Sequence, residues 1–294
     1  MAPVAVEGIP LVVIVGPTAS GKTGLAIGLA QQFGGEVVSA DSRAIYKGLD
    51  IGTAKPDMNE RAGVVHWGFD LANPGERFTA ADFKRYADAK IDDIRSRRKI
   101  PILVGGTGLY VDSVVYDYTF TSGSNDIELR KKFEHKSLAE LKNYCEKNNI
   151  SLPENDKNKR YIVNAIMRKG KTPLKNDKKY KNRIIVGIAT DKNILKARIR
   201  KRAKTIVNNA TINEAKNSAE KWGWDNEAMT GNAYPLIREY LAGRLTRHEL
   251  EEKFCTLDWR LAKRQLTWLK RNPEITWLGL DQAYSYIAQR LVDR

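Results

Sequence analysis

Cysteine is scarce: Cys145 and Cys255 are the two in a chain of 294 residues. Two thiols cannot make the disulfide framework of a small secreted domain, so a reducing cytosol is expected. Histidine is also sparse. His66, His135 and His248 are scattered, and neither cysteine sits near one at metal-ligand spacing, which argues against a structural zinc site. Long apolar runs are missing. The longest, around Leu11 to Val15, is far too short to span a bilayer. The N-terminal MAPVAVEGIP has neither the basic n-region nor the apolar h-region of a secretory signal. There is no internal repeat and no low-complexity tail. Wholesale disorder is excluded too, because 42% hydrophobic residues supply a real core.

What the chain has in excess is positive charge. Lys and Arg number 50 against 35 Asp and Glu, a net of +15. The excess is unevenly placed. Residues 1–120 hold 13 basic and 14 acidic side chains, residues 121–183 hold 17 and 8, and residues 184–294 hold 20 and 13. A near-neutral first part is followed by a basic remainder, which suggests a polyanionic partner for the later segments. A solvated basic surface is the plainer alternative.

The apolar pattern gives an α/β architecture, a parallel sheet flanked by helices. PLVVIV (10–15) is a short run without alternation, as expected of a buried parallel strand. GLAIGLAQQF (24–33) has helical spacing and is stopped by Gly34-Gly35. EVVSA (36–40) and IPILVGG (100–106) read as further strands, and residues 80–98 as an amphipathic helix between them. From Tyr116 the strand rhythm lapses. Residues 117–183 read as a basic, mainly helical insertion with a helix at SLAELKNYCEKN and Lys-rich stretches at 153–160 and 169–183. IIVGIA (184–189) resumes the sheet. Residues 192–221 read as a basic helical segment, 239–271 as two helices broken at Gly243, and ITWLGL (275–280) as a final strand. The expected organisation is a core of 1–116 with 184–294, and an inserted domain of 117–183.

The strongest motif is Gly16-Pro17-Thr18-Ala19-Ser20-Gly21-Lys22-Thr23, which fits G-x-x-x-x-G-K-[ST] between a strand and a helix. Such a loop wraps backbone N–H groups around phosphate oxygens at a helix N-terminus. Lys22 adds a point charge, and the Thr23 hydroxyl suits a Mg²⁺ ion, with Asp41 a further candidate ligand. The motif says phosphate rather than nucleotide. A nucleotidase wants an Asp after a core strand to hold its metal, but the 100–106 strand runs into Gly105-Gly106-Thr107. The one Asp directly after a core strand is Asp41. It can help hold a metal, act as a general base, or simply cap a turn.

Together GPTASGKT (16–23), SADSRAIYKGLDIGTAKP (39–56), FTAADFKRYA (78–87), IPILVGGTGLYV (100–111) and LAKRQLTWLKR (261–271) resemble the tRNA dimethylallyltransferases, in that family's order and spacing. The family prenylates N6 of adenosine 37 in the anticodon loop. The resemblance implies that the P-loop residues Gly16 to Thr23 hold the diphosphate of dimethylallyl diphosphate. It implies that Asp41 is the general base on the adenine amine and that Thr107 faces the adenine. It further implies an arginine from L-x-x-R-I-x-x-R, read here as Leu195 to Arg202: Arg202 first, Arg198 second. Lys22 and Arg202 would then stabilise the departing diphosphate. Ser42, Arg43 and Ala44, with Arg160, Lys263 and Arg264, match positions that contact tRNA. Mg²⁺ is the expected cofactor; a cytoplasmic place is expected from the few cysteines, a bacterial-type enzyme from the lack of a transit peptide and of a C-terminal zinc motif, and a monomer is expected.

Three segments depart from the family pattern. Asn164-Ala165-Ile166-Met167 replaces R-A-L-E, Asn232-Ala233-Tyr234-Pro235 replaces A-I-G-Y, and Asp258-Trp259-Arg260 replaces T-R-Q. All three are expected to alter tRNA contacts and to leave the phosphate site intact. The alternatives are an isopentenyltransferase acting on free adenine nucleotides, a P-loop kinase of small molecules, and a non-catalytic RNA-binding P-loop protein.

Overall fold

The computed structural model describes residues 8–120, 126–153, 155–171, 176 and 179–293. They fall into two compact units, one of Met1–Val115 with Tyr180–Arg294 and one of Tyr116–Lys179.

The larger unit is a parallel sheet. Its described strands are β1 (Leu11–Val15), β2 (Gly35–Ser39), β3 (His66–Trp67), β4 (Ile100–Gly105), β5 (Arg183–Ile188) and β6 (Thr276–Leu278), in the spatial order β3-β2-β4-β1-β5-β6. β1 lies between β4 and β5, with Val13 opposite both Leu103 and Ile185. Its five residues are wholly buried because helices cover both faces. On one face Val12, Ile14, Ile102, Val104 and Val186 pack with Leu25, Ala26 and Leu29 of α1 (Lys22–Phe33) and with Ala283 and Ile287 of α11 (Leu280–Val292). On the other face α2 (Ala80–Ser96) packs on β2 and β4 and against α3 (Gly108–Val115). There the rings of Phe83 and Tyr110 stack at 4.1 Å.

Some elements differ from the expected pattern. β3 is two residues long and exists through its pairing with Val37 and Val38, too short to leave a periodic signal. The segment expected as one helix is two, α7 (Lys192–Ile206) and α8 (Asn209–Trp222), parted where Asn208 caps the second by accepting from Thr211 N at 2.9 Å. ITWLGL is a three-residue strand that hands over to α11. The break at Gly243 holds: α9 (Ala233–Leu241) and α10 (Arg247–Leu269) flank it, and Gly243 has φ +71°.

The smaller unit is helical, with α4 (Ile127–Glu134), α5 (Leu138–Lys147) and α6 (Lys159–Met167). Its core is Phe133, Leu141, Cys145, Ile162, Val163, Ile166 and Met167. Within the Lys-rich run at 169–183, positions 172–175, 177 and 178 lie outside the described residues.

Candidate active site

β1 delivers the chain into the 16–21 loop at the carboxyl end of the sheet, where open α/β folds place their ligands. The loop is a tight turn with Ala19 at φ 62° and Gly21 at φ 93°. Glycine suits position 21 by that backbone angle, and Leu280 packs close, its Cδ1 2.8 Å from where a Cβ would stand. α1 then begins with no side-chain cap and no acidic residue in its first turn. Its amides and the positive end of its dipole are left for an anion.

Three outside groups fix the loop. Gln265 Oε1 accepts from Thr18 N at 2.8 Å, Arg198 Nη1 donates to Ser20 O at 3.0 Å, and Arg202 Nη1 donates to Thr18 Oγ1. Ser20 is fully buried, with its Oγ against Gly16. That hydroxyl is buried without a hydrogen-bond partner.

A cavity of about 300 Å³ opens over the loop. Thr18, Lys22 and Thr23 line it from the P-loop, Asp41 to Ala44 from beyond β2, Thr107 from beyond β4, Arg202 from α7, and Asp258, Arg264 and Gln265 from α10. Of the expected residues, Gly16, Pro17, Ala19, Ser20, Gly21 and Arg198 stand behind this surface as the loop's frame. Lys263 is exposed on α10 outside the cavity lining, and Arg160 is exposed at the start of α6 in the smaller unit.

The geometry gives each lining group a posture. Lys22 Nζ donates to Pro17 O at 3.2 Å. Burial lowers its pKa to about 8, against an opposing pull from Asp41 and a smaller push in the same direction from Arg202. An ammonium so desolvated gains most from an arriving anion. Asp41 Oδ1 accepts from Arg43 N at 2.8 Å, so the carboxylate caps its turn and is oriented by it. Thr107 Oγ1 accepts from Ser42 N at 3.0 Å and donates to Ser42 Oγ at 3.3 Å. This clips the end of β4 to the segment carrying Asp41. Gly105 lets β4 approach Ala40, whose carbonyl would collide with any Cβ there.

The spacing of α10 brings Phe254, Asp258, Leu261 and Gln265 onto one face, at i, i+4, i+7 and i+11. Asp258 and Gln265 stand seven residues apart on that face and form its polar part. The departures at 232 and 258, expected to concern tRNA alone, also lie on the cavity lining. Glu214 of α8 carries no motif that marks it in the sequence. Its carboxylate accepts from the backbone of Asp50, Ile51 and Gly52 at 2.7, 2.8 and 2.9 Å and from Tyr234 Oη at 2.9 Å. It thereby pins the loop whose residues 52–56 line the cavity.

A hard divalent cation fits this donor set. Magnesium is usually held by one or two protein oxygens, waters and substrate phosphates, and the Thr23 hydroxyl and the Asp41 carboxylate line the same cavity. No group of three or more His, Cys, Asp or Glu side chains suited to a metal occurs among the described residues. No helix among them is long and apolar enough to cross a membrane.

A family model described as IPP transferase matches residues 44–272, and one described as isopentenyl transferase matches residues 9–67. The chain is 35% identical to the tRNA dimethylallyltransferase of Bacillus velezensis, over 92% of its own length and 91% of the relative's. It is 37% identical to that of Acetivibrio thermocellus, over 92% of each. Among solved structures it is similar to the tRNA isopentenylpyrophosphate transferase of Bacillus halodurans, with TM-score 0.73, 31% identity and 97% of each chain covered. A eukaryotic dimethylallyltransferase acting on tRNA shares the fold at TM-score 0.72 and 21% identity, over 93% of this chain and 74% of the other.

Proposed function

The chain belongs to the IPP transferase family, and from that premise we propose that it transfers a dimethylallyl group from dimethylallyl diphosphate to N6 of adenosine 37 in the anticodon loop of tRNA. The observation that carries the reading is one cavity lined at once by Lys22 and Thr23 of the P-loop, by Arg202 and by Asp41. Phosphate-binding groups and a carboxylate base thus face a common space.

The exocyclic adenine amine is a weak nucleophile, and a diphosphate leaves only if its growing charge is met. Lys22, Arg202 and the open start of α1 face that charge. As the C–N bond forms and the allylic C–O bond breaks, Asp41 accepts the N6 proton, a contribution typically worth ~10²–10⁴-fold. The Arg43 N–H bond holds the Asp41 carboxylate in place meanwhile. We assign the metal to Thr23 and keep Asp41 for the proton; bound Mg²⁺ would supply further charge neutralisation to the diphosphate. Thr107, clipped to Ser42, is assigned to the adenine side, with Arg43, Ala44 and Arg264 toward the RNA. Gly16 to Gly21 and Arg198 set the frame of the phosphate cradle.

Adenosine 37 must leave its stacked loop to reach this space. The basic segment of residues 117–183, with Arg160, and Lys263 on α10 are assigned to the RNA backbone. A tRNA substrate supports a cytoplasmic place. A free nucleotide acceptor and a small-molecule kinase are not favoured, since the relatives matched along nine-tenths of the chain are tRNA enzymes.

The test is incubation with dimethylallyl diphosphate and Mg²⁺, offering unmodified tRNA, AMP, or ATP with small-molecule acceptors in parallel. Prenylated adenosine is expected in digested tRNA by mass analysis. Prenylated AMP without a tRNA product, or phosphoryl transfer alone, would overturn the reading.

A further inference from the structure

Asn232 stands at the N-cap of α9, where an asparagine side chain ordinarily accepts from the helix's first amides. It makes no such bond. Its Nδ2 instead donates to Asp258 Oδ1, at 2.8 Å and 26 residues along the chain. Asp258 is 3% exposed, and a carboxylate removed from water needs partners. Its second oxygen, Oδ2, has no hydrogen-bond partner and lies 3.9 Å from Arg202 Nε, which is itself buried without an acceptor. That distance allows attraction but is too long for a hydrogen bond. Arg202 Nη1 meanwhile donates to Thr18 Oγ1.

Asp41 has the proton to accept, but a second carboxylate beside the arginine meant for the diphosphate is an oddity. By Coulomb repulsion alone it opposes the ligand. Its neighbours supply the reason for it. A guanidinium is planar, so fixing two corners fixes the third. With Nη1 on the P-loop and Nε drawn toward Asp258, the remaining amino group of Arg202 is aimed by the protein rather than by the ligand.

We propose that Asp258, oriented by Asn232, is the positioning residue for Arg202, presetting the guanidinium for the diphosphate. This rests on the diphosphate reading above. Two of the chain's three departures from its family's pattern thereby become one device, since Asn232 and Asp258 bond to each other.

The sign of the effect separates this role from that of a bystander charge. Removing a mere negative charge would tighten anion binding, whereas removing a positioner loosens it. Asparagine at 258 has one acceptor oxygen; spent on Asn232, it turns an NH₂ toward Arg202 Nε, donor against donor.

Inorganic pyrophosphate binding to the full chain, measured by calorimetry, is the readout, with melting temperature and tRNA affinity alongside. Asp258→Asn is expected to weaken pyrophosphate about tenfold, to raise KM for dimethylallyl diphosphate, and to leave tRNA affinity unchanged. Asn232→Ala should shift the same quantities in the same direction by less, and it serves alone if Asp258→Asn does not fold. In an Arg202→Lys background, Asp258→Asn should add little, because the group it positions is gone. Unchanged or tighter pyrophosphate binding in the variants, or full additivity with Arg202→Lys, overturns the proposal. A wild-type chain that binds no pyrophosphate overturns the diphosphate reading and this proposal together.

Discussion

The helix that faces the cavity and the helices of the smaller unit treat their N-termini in opposite ways. α1 begins uncapped. α4, α5 and α6 are each closed by a side chain, from Asp126, Ser137 and Asn158, and α5 by a full capping box. The charge runs the other way. The first 120 residues, which carry the P-loop, have one more acidic than basic side chain, whereas residues 121–183 hold 17 basic against 8 acidic. For phosphate, one region offers fixed backbone dipoles and a few desolvated cations. The other offers long, hydrated lysines on a scaffold whose own helices are already satisfied. Fixed dipoles in a cavity are screened little by salt and surface lysines strongly. Chemistry and grip should therefore respond differently to the same perturbation.

The largest expected effect separates them at the chemical step. Asp41→Ala should lower prenyl transfer by ~10²–10⁴-fold while tRNA binding, measured by filter retention or fluorescence anisotropy, survives. Unchanged turnover would remove Asp41 from the base role. A smaller effect comes from the opposite side. Lys169 and Lys171 are exposed, and changing both to Glu should weaken tRNA binding. It should also reduce the slope of log affinity against log salt by about one for each phosphate left unneutralised. Pyrophosphate binding should not move. If neither affinity nor slope changes, the run is only a solvated surface.

The smallest effect is a pH dependence confined to the cavity. Lys22 titrates near 8 when the cavity is empty, because burial disfavours its charge. Between there and the ordinary lysine value near 10.5 the folded chain holds fewer protons than the unfolded one, so this group makes the empty enzyme more stable as pH rises through that window. A bound diphosphate reverses the preference. Pyrophosphate should then bind more weakly as pH rises above about 8 and should draw a proton from solvent on binding. Calorimetry in two buffers of different ionisation enthalpy counts that proton. A count that pyrophosphate's own last ionisation accounts for in full would place Lys22 away from the anion.

Much of this could be read from the residues because the strongest signals are local. The short unalternating apolar runs of β1, β4 and β5 read as buried parallel strands, and GPTASGKT carries its own chemistry. Features made by tertiary pairing left no comparable trace. β3 owes its existence to Val37 and Val38. α3 begins at Gly108, two residues after the Gly105-Gly106 pair, and no helix was expected there. Asn208 is a legible cap, easily passed over because no Gly or Pro marks the break. Gln265 stands within LAKRQLTWLKR with no role that the motif itself reveals, since its bond to Thr18 depends on how α10 crosses the loop. Asn232 and Asp258 looked like departures from a pattern; only their proximity shows that they answer one another.

The bond from Thr18 N to Gln265 Oε1 joins positions 247 apart in sequence, and it has a consequence in time. A ribosome adding about 5–20 residues per second completes the P-loop's own sequence early and needs tens of seconds more to reach the residue that braces it. Leu280, packed against Gly21, comes later still. The P-loop thus waits for a residue made 247 positions later before its cradle takes shape. During synthesis the half-made protein is poorly equipped to capture diphosphate, and competence arrives late and as a unit.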